Sequence, residues 1–289
     1  VKEQTYTKTY DYRENNLHFY AKKIPAFPIE EYLRTEENYL SQIEFEIHYT
    51  KFPNSVMNYY TTSWEKINEN LLNDSRFGNE LRQTSHIKKD VDFLRQSGQK
   101  DFSLLYNAFN FIKNKLTWDE YNSKYPTTSL SKAYKENGGN CADINLNLII
   151  LLRESGFEAY PVLLSTQKHG IIHPSHPSIS SFNYVIAMAK LGDDVLLMDA
   201  TDPFSEINLL PIRCLNDKGR IVNNAGGEWV VLMDYKPYSS LEIYSLEVGK
   251  NLSINGSVEM VLKDYAAYLY KKEIKKYNNI DEYKNILEE

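Results

Sequence analysis

Cys141 stands where a cysteine could act as a nucleophile. It directly follows the turn Asn137-Gly138-Gly139-Asn140 and opens a strongly apolar stretch, which predicts a buried helix that starts at the cysteine. The start of a helix carries partial positive charge and unpaired N–H groups, which favour a thiolate and could bind the oxyanion of an acyl intermediate. The alternative is that Cys141 is a small buried apolar residue without chemistry.

Other residues with acid–base or metal-binding chemistry lie downstream. His169, His173 and His176 are three of the six histidines and share one polar loop, where histidines are usually solvated. They have no further ligand at a convincing spacing, so we expect no metal site, and nothing indicates a bound cofactor. Asp202 precedes a proline and is typical of a turn, and Cys214 is interpreted as structural.

The elements that must position Cys141 follow from the hydrophobic pattern. Apolar spacing predicts helices from Thr62 onward, over residues 85–94 and over residues 102–116. After the helix that begins at Cys141, residues 157–165 are a strand candidate, and residues 182–190 and 195–198 flank a hairpin turn. A β-rich pattern precedes the helices, with strict alternation over residues 42–49, and returns after residue 226.

Composition limits the function classes. The 289 residues fit about two domains, and 13% aromatic residues with a net charge of −6 exclude a disordered chain. With 33 basic against 39 acidic residues, no overall basic field draws the chain to nucleic acid or an anionic membrane. Two cysteines exclude a disulfide framework, and no apolar run is long enough for a transmembrane segment. No signal peptide opens the sequence.

One stretch resembles a known family. Residues 138–162, G-G-N-C-A-D-I-N-L-N-L-I-I-L-L-R-E-S-G-F-E-A-Y-P-V, resemble the core motif of the transglutaminase-like superfamily, which has a papain-like fold. In that family the nucleophilic cysteine opens a central helix, and a histidine and an aspartate come from two following antiparallel strands. Residues 182–187 and 196–201 match those strands, and the second contains the family's Asp-Ala-Thr. The resemblance covers residues 104–215, and more loosely both flanks, as in a bacterial branch with β-rich domains of unknown function.

The resemblance assigns Cys141 to the nucleophile, Asp199 to the orienting acid and Tyr184 to the position of the base. Tyrosine there is a departure, because a phenol with a pKa of about 10 is a poor base near neutrality. The triad is therefore incomplete, unless His169, His173 or His176 folds back as a substitute base. Asn140, Trp118 and Asn183 are the candidates for substrate contacts, although Trp118 could equally line the core or the cleft.

We therefore expect an α+β protein with a papain-like, transglutaminase-type core. The core spans residues 61–225, with a β-rich flank over 1–60 and another over 226–289. The preferred function is a catalytically degenerate module that binds a peptide, glycan or protein partner. The alternative is an active thiol-dependent amide hydrolase or acyl transferase that uses Cys141. The resemblance implies an exported bacterial protein, periplasmic or on the cell surface.

Overall fold

A computed structural model describes the whole chain except residues 1–8, 10, 29, 32, 42, 44, 46, 60–62, 97–100, 234–237, 278 and 289. The chain divides into two compact units, Val1–Leu33 and Arg34–Glu289. In the part of the first unit that is described, the backbone forms neither helix nor strand. The division into three regions at residues 60 and 225 stays a prediction.

The second unit combines helices with antiparallel sheets and one short parallel pair of strands, β3 and β4. Its helices are α1 Trp64–Asn73, α2 Lys88–Arg95, α3 Phe102–Lys115, α4 Leu130–Glu136, α5 Cys141–Glu154, α6 Asp264–Ile274 and α7 Ile280–Glu288. Its strands are β1 Tyr49–Thr50, β2 Asn58–Tyr59, β3 Thr117–Trp118, β4 Gly138–Gly139, β5 Glu158–Leu164, β6 Tyr184–Leu191, β7 Asp194–Met198, β8 Lys218–Ile221, β9 Glu228–Val231, β10 Tyr238–Val248 and β11 Ile254–Lys263. The expected mixture of helices and antiparallel strands is confirmed, and the papain-like assignment stays a prediction.

A five-stranded antiparallel sheet, in the order β7-β6-β5-β8-β9, forms the centre of this unit. The two faces of the sheet bury different sets of side chains, because successive residues of a strand point to opposite sides. Val185, Ala187 and Ala189 of β6 join the large core that contains most of α5. Tyr184 and Ile186 belong to a second cluster on the other face. Cys141 belongs to that second cluster, although it is the first residue of α5.

Helix α5 begins at Cys141 because the preceding residues cap it. Asn140 Oδ1 accepts the Asp143 N–H at 2.9 Å, and Asp143 Oδ2 accepts the Asn140 N–H at 3.0 Å, which is a capping box. Gly139 has a φ of +151°, and a Cβ there would lie 2.5 Å from Asp143 Oδ2. A glycine is therefore needed directly before this cap. Residues 141 to 152 of the helix are all buried, as their apolar pattern predicted.

Most of the predicted elements near the site agree with the structure. Helix α3 and the β6–β7 hairpin lie where the pattern placed them, whereas α2 begins at Lys88 because residues 85–87 form a turn. Thr62 and residues 42, 44 and 46 of the predicted first strand lie outside the described residues, and α1 is capped by Ser63. Of the described residues of that predicted strand, only Tyr49 lies in a strand, so the prediction is wrong there: the apolar side chains at 43, 45 and 47 are exposed and have no core to pack against. Strands β10 and β11 form a separate hairpin with ten residue pairs. Of the helices in the described part of the chain, none has the length and apolar character that a membrane span requires.

Candidate functional site

The Cys141 thiol is completely buried and bonded to the backbone of Ser123. Its Sγ lies 3.0 Å from the Ser123 carbonyl oxygen, to which it donates, and 3.2 Å from the Ser123 nitrogen, whose N–H it accepts. Burial raises the pKa of Cys141 to about 12, although the Ser123 N–H opposes this. Loss of hydration thus opposes the thiolate that the helix terminus favours, and the thiolate at Cys141 stays a prediction.

The backbone N–H of Cys141, a candidate donor to an oxyanion, is also occupied. It donates to the carbonyl oxygen of Tyr121 at 3.3 Å. An acyl intermediate at Sγ would need this N–H to be free, together with open space beside the sulfur. In this conformation the Cys141 thiol is shielded from solvent, and the N–H at the start of α5 is not free to bind a substrate carbonyl oxygen.

Tyr184 and Asp199, the other two positions of the expected triad, are in direct contact. Tyr184 is the first residue of β6, and Asp199 directly follows β7 on the neighbouring strand. The Tyr184 hydroxyl donates to Asp199 Oδ2 at 2.9 Å and lies 2.9 Å from Thr201 Oγ1. Both side chains are completely buried, and burial followed by the charge of Asp199 raises the pKa of Tyr184 well above its usual value. The phenol therefore keeps its proton and directs it toward Asp199.

The Asp199 carboxylate is held by donors from several elements. Asn145 Nδ2 donates to its Oδ1 at 2.9 Å, and Thr201 donates to the same atom through its backbone N–H and its hydroxyl, at 3.0 and 2.8 Å. Asn145 also accepts the Ala200 N–H at 2.9 Å, so its carboxamide fixes the chain directly after β7. Because Asn145 lies one turn after Cys141 on α5, it joins the cysteine helix to the aspartate.

Arg213 completes this network, and sequence reasoning missed it. Its guanidinium donates to the Tyr184 hydroxyl from Nε at 3.3 Å and from Nη2 at 3.1 Å, and Nη2 lies 3.5 Å from Asp199 Oδ2. It also stacks on Trp118, with 4.2 Å between the guanidinium carbon and the ring centroid. Although burial lowers the pKa of Arg213, the charge of Asp199 and the hydrogen bond to Tyr184 raise it, so the cation persists. The only sequence signal was indirect, since a buried aspartate requires a cation or several donors.

Asp202 extends the network to α6. Its Oδ2 accepts hydrogen bonds from Tyr268 and Lys272, both at 2.7 Å, and lies 3.7 Å from Arg213 Nη1. Although burial raises the pKa of Asp202, the bonds from Lys272 and Tyr268 hold it below its usual value. The predicted turn role also holds, because Asp202 Oδ1 accepts the Phe204 N–H at 3.0 Å. Asp202 thus fixes both the turn after β7 and the C-terminal helix α6.

The three residues proposed for substrate contacts have different surroundings. Asn140 is buried at the start of α5, and its Nδ2 donates to the Tyr125 carbonyl at 2.9 Å. Trp118 lies half-buried beneath Arg213. Asn183 uses both ends of its carboxamide on Thr166, at 2.9 Å each. The structure brings Trp118 and Asn140 to the Cys141 site, and their substrate-binding role stays a prediction.

The loop histidines contact other partners. His169, His173 and His176 are exposed. A His169 ring nitrogen lies 3.2 Å from the Ser180 carbonyl oxygen, and the rings of the other two are perpendicular, with their centroids 6.4 Å apart. In the part of the chain that the structure describes, no histidine hydrogen-bonds to Cys141 Sγ, whose partner is Ser123. Nor do the described residues contain a group of three or more side chains able to hold a metal ion.

Comparison with known proteins gives distant structural matches. No protein-family model matches the chain, and no curated protein is detectably similar in sequence. A crystal structure named "putative protease", from Parabacteroides distasonis ATCC 8503, matches with a TM-score of 0.42 and 12% identity over 65% of this chain and 35% of that one. A second, named "putative cysteine protease", from Cytophaga hutchinsonii, matches with a TM-score of 0.34 and 17% identity over 66% of this chain and 57% of the other. This chain therefore spans less than two thirds of the length of either protein.

Proposed function

We propose that this protein is a transglutaminase-like module with a papain-type core that lacks thiol catalysis and binds a peptide, glycan or protein partner. The observation that carries the proposal is the environment of Tyr184. Its hydroxyl donates to Asp199 and accepts from Arg213, in the position where the family has its histidine base.

The first supporting argument concerns the proton. A thiol nucleophile needs a neighbour that accepts its proton and later returns it to the leaving group. Tyr184 cannot accept a proton as a neutral phenol with its lone pairs facing Arg213, and its raised pKa excludes a phenolate near neutrality. A thiolate at Cys141 therefore has no partner of opposite charge on the strand that should supply the base.

The second argument concerns charge. In a cysteine–histidine–aspartate site, the imidazolium lies between the thiolate and the carboxylate and is stabilised by both. Here Arg213 already supplies a permanent cation beside Asp199, at 3.5 Å. The buried Asp199 carboxylate therefore has its counter-ion while Cys141 is a thiol. Ionising the Cys141 sulfur would add no stabilising interaction at the site.

An activity panel tests the proposal against its alternative. The wild-type protein is incubated with peptides that contain glutamine and other amide-bearing side chains, with and without a primary amine, and products are followed by mass spectrometry. Cys141→Ala is the test variant and Cys214→Ala the matched control, since Cys214 is the other buried cysteine. We expect no product from any of the three proteins.

The proposal would be overturned if wild type and Cys214→Ala cleaved the peptides or incorporated the amine and Cys141→Ala did not. That result would establish the thiol hydrolase or acyl transferase.

A periplasmic or cell-surface location belongs to the same proposal. Fractionation of cells that express the full-length protein tests that location, and recovery in the cytoplasmic fraction alone would contradict it.

A further inference from the structure

Strands β10 and β11 form a two-stranded ribbon, and no further strand of the described residues joins it. Helix α6 contacts both strands. Ser239 and Leu262 are half-buried, and every other residue of the two strands is exposed. A two-stranded hairpin is marginally stable at best in water, and it gains stability from a further strand or from a covered face. The ribbon therefore has room for another layer.

The two faces of the ribbon differ, because successive residues of a strand point to opposite sides. One face, here called the apolar face, carries the cross-strand pairs Ser240 with Leu262, Glu242 with Met260, Tyr244 with Val258, Leu246 with Gly256, and Val248 with Ile254. The opposite face is polar toward the turn, where Ser245 pairs with Ser257. The apolar face thus has one charged residue, Glu242, among ten.

The apolar face is larger than the exposed apolar patches of most soluble monomers. Six of its apolar side chains are between 39% and 65% exposed, namely Tyr244, Leu246, Val248, Ile254, Val258 and Met260. At about 100 Å² of exposed surface each, they present about 600 Å². Patches above a few hundred Å² usually mark interaction sites. Two such faces in contact would bury about 1,200 Å², more than the roughly 1,000 Å² that a specific interface needs.

The order of side chains along the apolar face suits a two-fold axis across the middle of the ribbon, at Val258. When the ribbons of two copies stack with antiparallel strands, Val258 meets Val258 of the second copy. Two positions farther along β11, Met260 lies over Gly256 of the second copy, which has no side chain. Leu262 then lies over Ile254, so apolar groups meet along the whole strand. Such a contact is isologous, as in the common two-fold dimers.

The charge of Glu242 does not prevent this contact. Its carboxylate accepts a hydrogen bond from the Tyr244 hydroxyl at 2.5 Å, and both residues lie on β10, which forms one edge of the ribbon. A carboxylate at that edge stays hydrated in the polar rim of an interface. With so little charge, the face offers an unrelated protein few specific contacts, whereas a second copy brings the same apolar groups in matching order.

We propose that two copies of this chain associate through their apolar faces, with the two ribbons stacked as the layers of a four-stranded sandwich. The interface includes no residue of the Cys141 site. It therefore goes beyond the proposed function and does not depend on it.

Sedimentation equilibrium over micromolar concentrations tests the association. Leu246→Lys places a charge near the centre of the apolar face, and Ser245→Lys, at the neighbouring residue on the opposite face, is the matched control. We expect the wild-type chain to form a dimer. The dissociation constant should rise by about a hundredfold in Leu246→Lys, since each copy loses the burial of one leucine, and should stay within about twofold in Ser245→Lys.

A wild-type chain that is monomeric throughout this range would overturn the proposal. Association beyond a dimer would also overturn it, because a two-fold face contact closes on itself. Equal weakening by both lysine substitutions would show that the apolar face is not the surface involved. If circular dichroism shows that Leu246→Lys does not fold, Val258→Lys replaces it, with the same outcomes.

Cross-linking distinguishes contact between faces from contact between strand edges. Val258→Cys and its control Ser257→Cys place thiols on opposite faces of β11, and both native cysteines are buried. Because stacked sheets lie about 10 Å apart, a short bifunctional maleimide can join two cysteines at position 258. We expect a cross-linked dimer from Val258→Cys alone. Equal cross-linking of both variants would indicate pairing of strand edges and would reject the stacked faces.

Discussion

Replacing Arg213 by methionine should destabilise the protein strongly, because Asp199 would lose its cation. The carboxylate is completely buried, and the Arg213 side chain is only 22% exposed, so solvent can replace little of the lost interaction. Removing one partner of such a pair costs about 3–5 kcal/mol. The four hydrogen bonds to Asp199 from Asn145, Thr201 and Tyr184 remain and favour the anion, which places the expected loss near the lower end, about 3 kcal/mol.

A double-mutant cycle separates this charge effect from lost packing on Trp118. Asp199→Asn removes the charge, and the double variant Arg213→Met/Asp199→Asn lacks both members of the pair. If the pair is coupled as the contacts indicate, the double variant is more stable than the sum of the single losses implies, by about 2 kcal/mol. The free energy of unfolding is measured by urea denaturation at pH 7, with equal m-values as the check on two-state behaviour.

A loss below about 1 kcal/mol in Arg213→Met would refute the reasoning, since a surface ion pair typically contributes that little. Additive losses in the cycle would show that Arg213 acts by packing on Trp118 and not by neutralising Asp199.

The remaining predictions concern Cys141, Tyr184 and Asn140. Above pH 9, the free energy of unfolding of the wild type should fall more steeply than that of Cys141→Ala, by about 1.4 kcal/mol per pH unit, in urea titrations from pH 8 to 11. The sign follows because burial raises the native pKa of Cys141 to about 12. At alkaline pH the native state therefore holds a proton that the unfolded state releases. The stability that Cys141 contributes is complete below the unfolded pKa and is lost as the pH approaches 12. Tyr184→Phe should cost about 1–2 kcal/mol in urea denaturation, since Arg213 loses an acceptor and Asp199 a donor. Asn140→Ala should cost about 1–2 kcal/mol in urea denaturation, because the Asp143 N–H loses the cap at the start of α5.

Each of these has a contrary result. Parallel pH dependences of wild type and Cys141→Ala would mean that the thiol is not protected from ionisation in the native state. A neutral Tyr184→Phe substitution would mean that the hydroxyl is not needed between Asp199 and Arg213. A neutral Asn140→Ala substitution would mean that the Asn140 cap contributes nothing to the stability of α5.

Local sequence patterns were sufficient for the elements that carry the site. The turn before Cys141 and the apolar run after it predicted α5, and the turn residues 191–194 between two strand candidates predicted the β6–β7 hairpin that brings Tyr184 beside Asp199. These features depend on neighbours close in sequence, which periodicity and capping describe well.

The features that decide the chemistry depend on distant parts of the chain. Arg213 reaches Asp199 and Tyr184 from a single 3-10 turn, Ile212–Cys214, and no periodic pattern fixes where so short an element packs. Ser123 contacts Cys141 through backbone atoms, which every residue type possesses, so the sequence carries no signal of this contact. The burial of the thiol was missed for the same reason: the effect of the helix terminus is local, whereas desolvation depends on what packs above the sulfur.

The pH dependence of Cys141 modification tests the central claim most directly. The rate with iodoacetamide, a reagent that has no titrating group in this range, is measured from pH 4 to 9 for Cys141 and Cys214 in the wild-type protein. Without a base or a stabilised thiolate, the Cys141 rate should fall about tenfold for each unit of decreasing pH, as the thiolate fraction of an ordinary thiol does. A rate that stays constant below pH 6 would reveal a thiolate paired with a cation, and the protein would then have to be regarded as an active thiol enzyme.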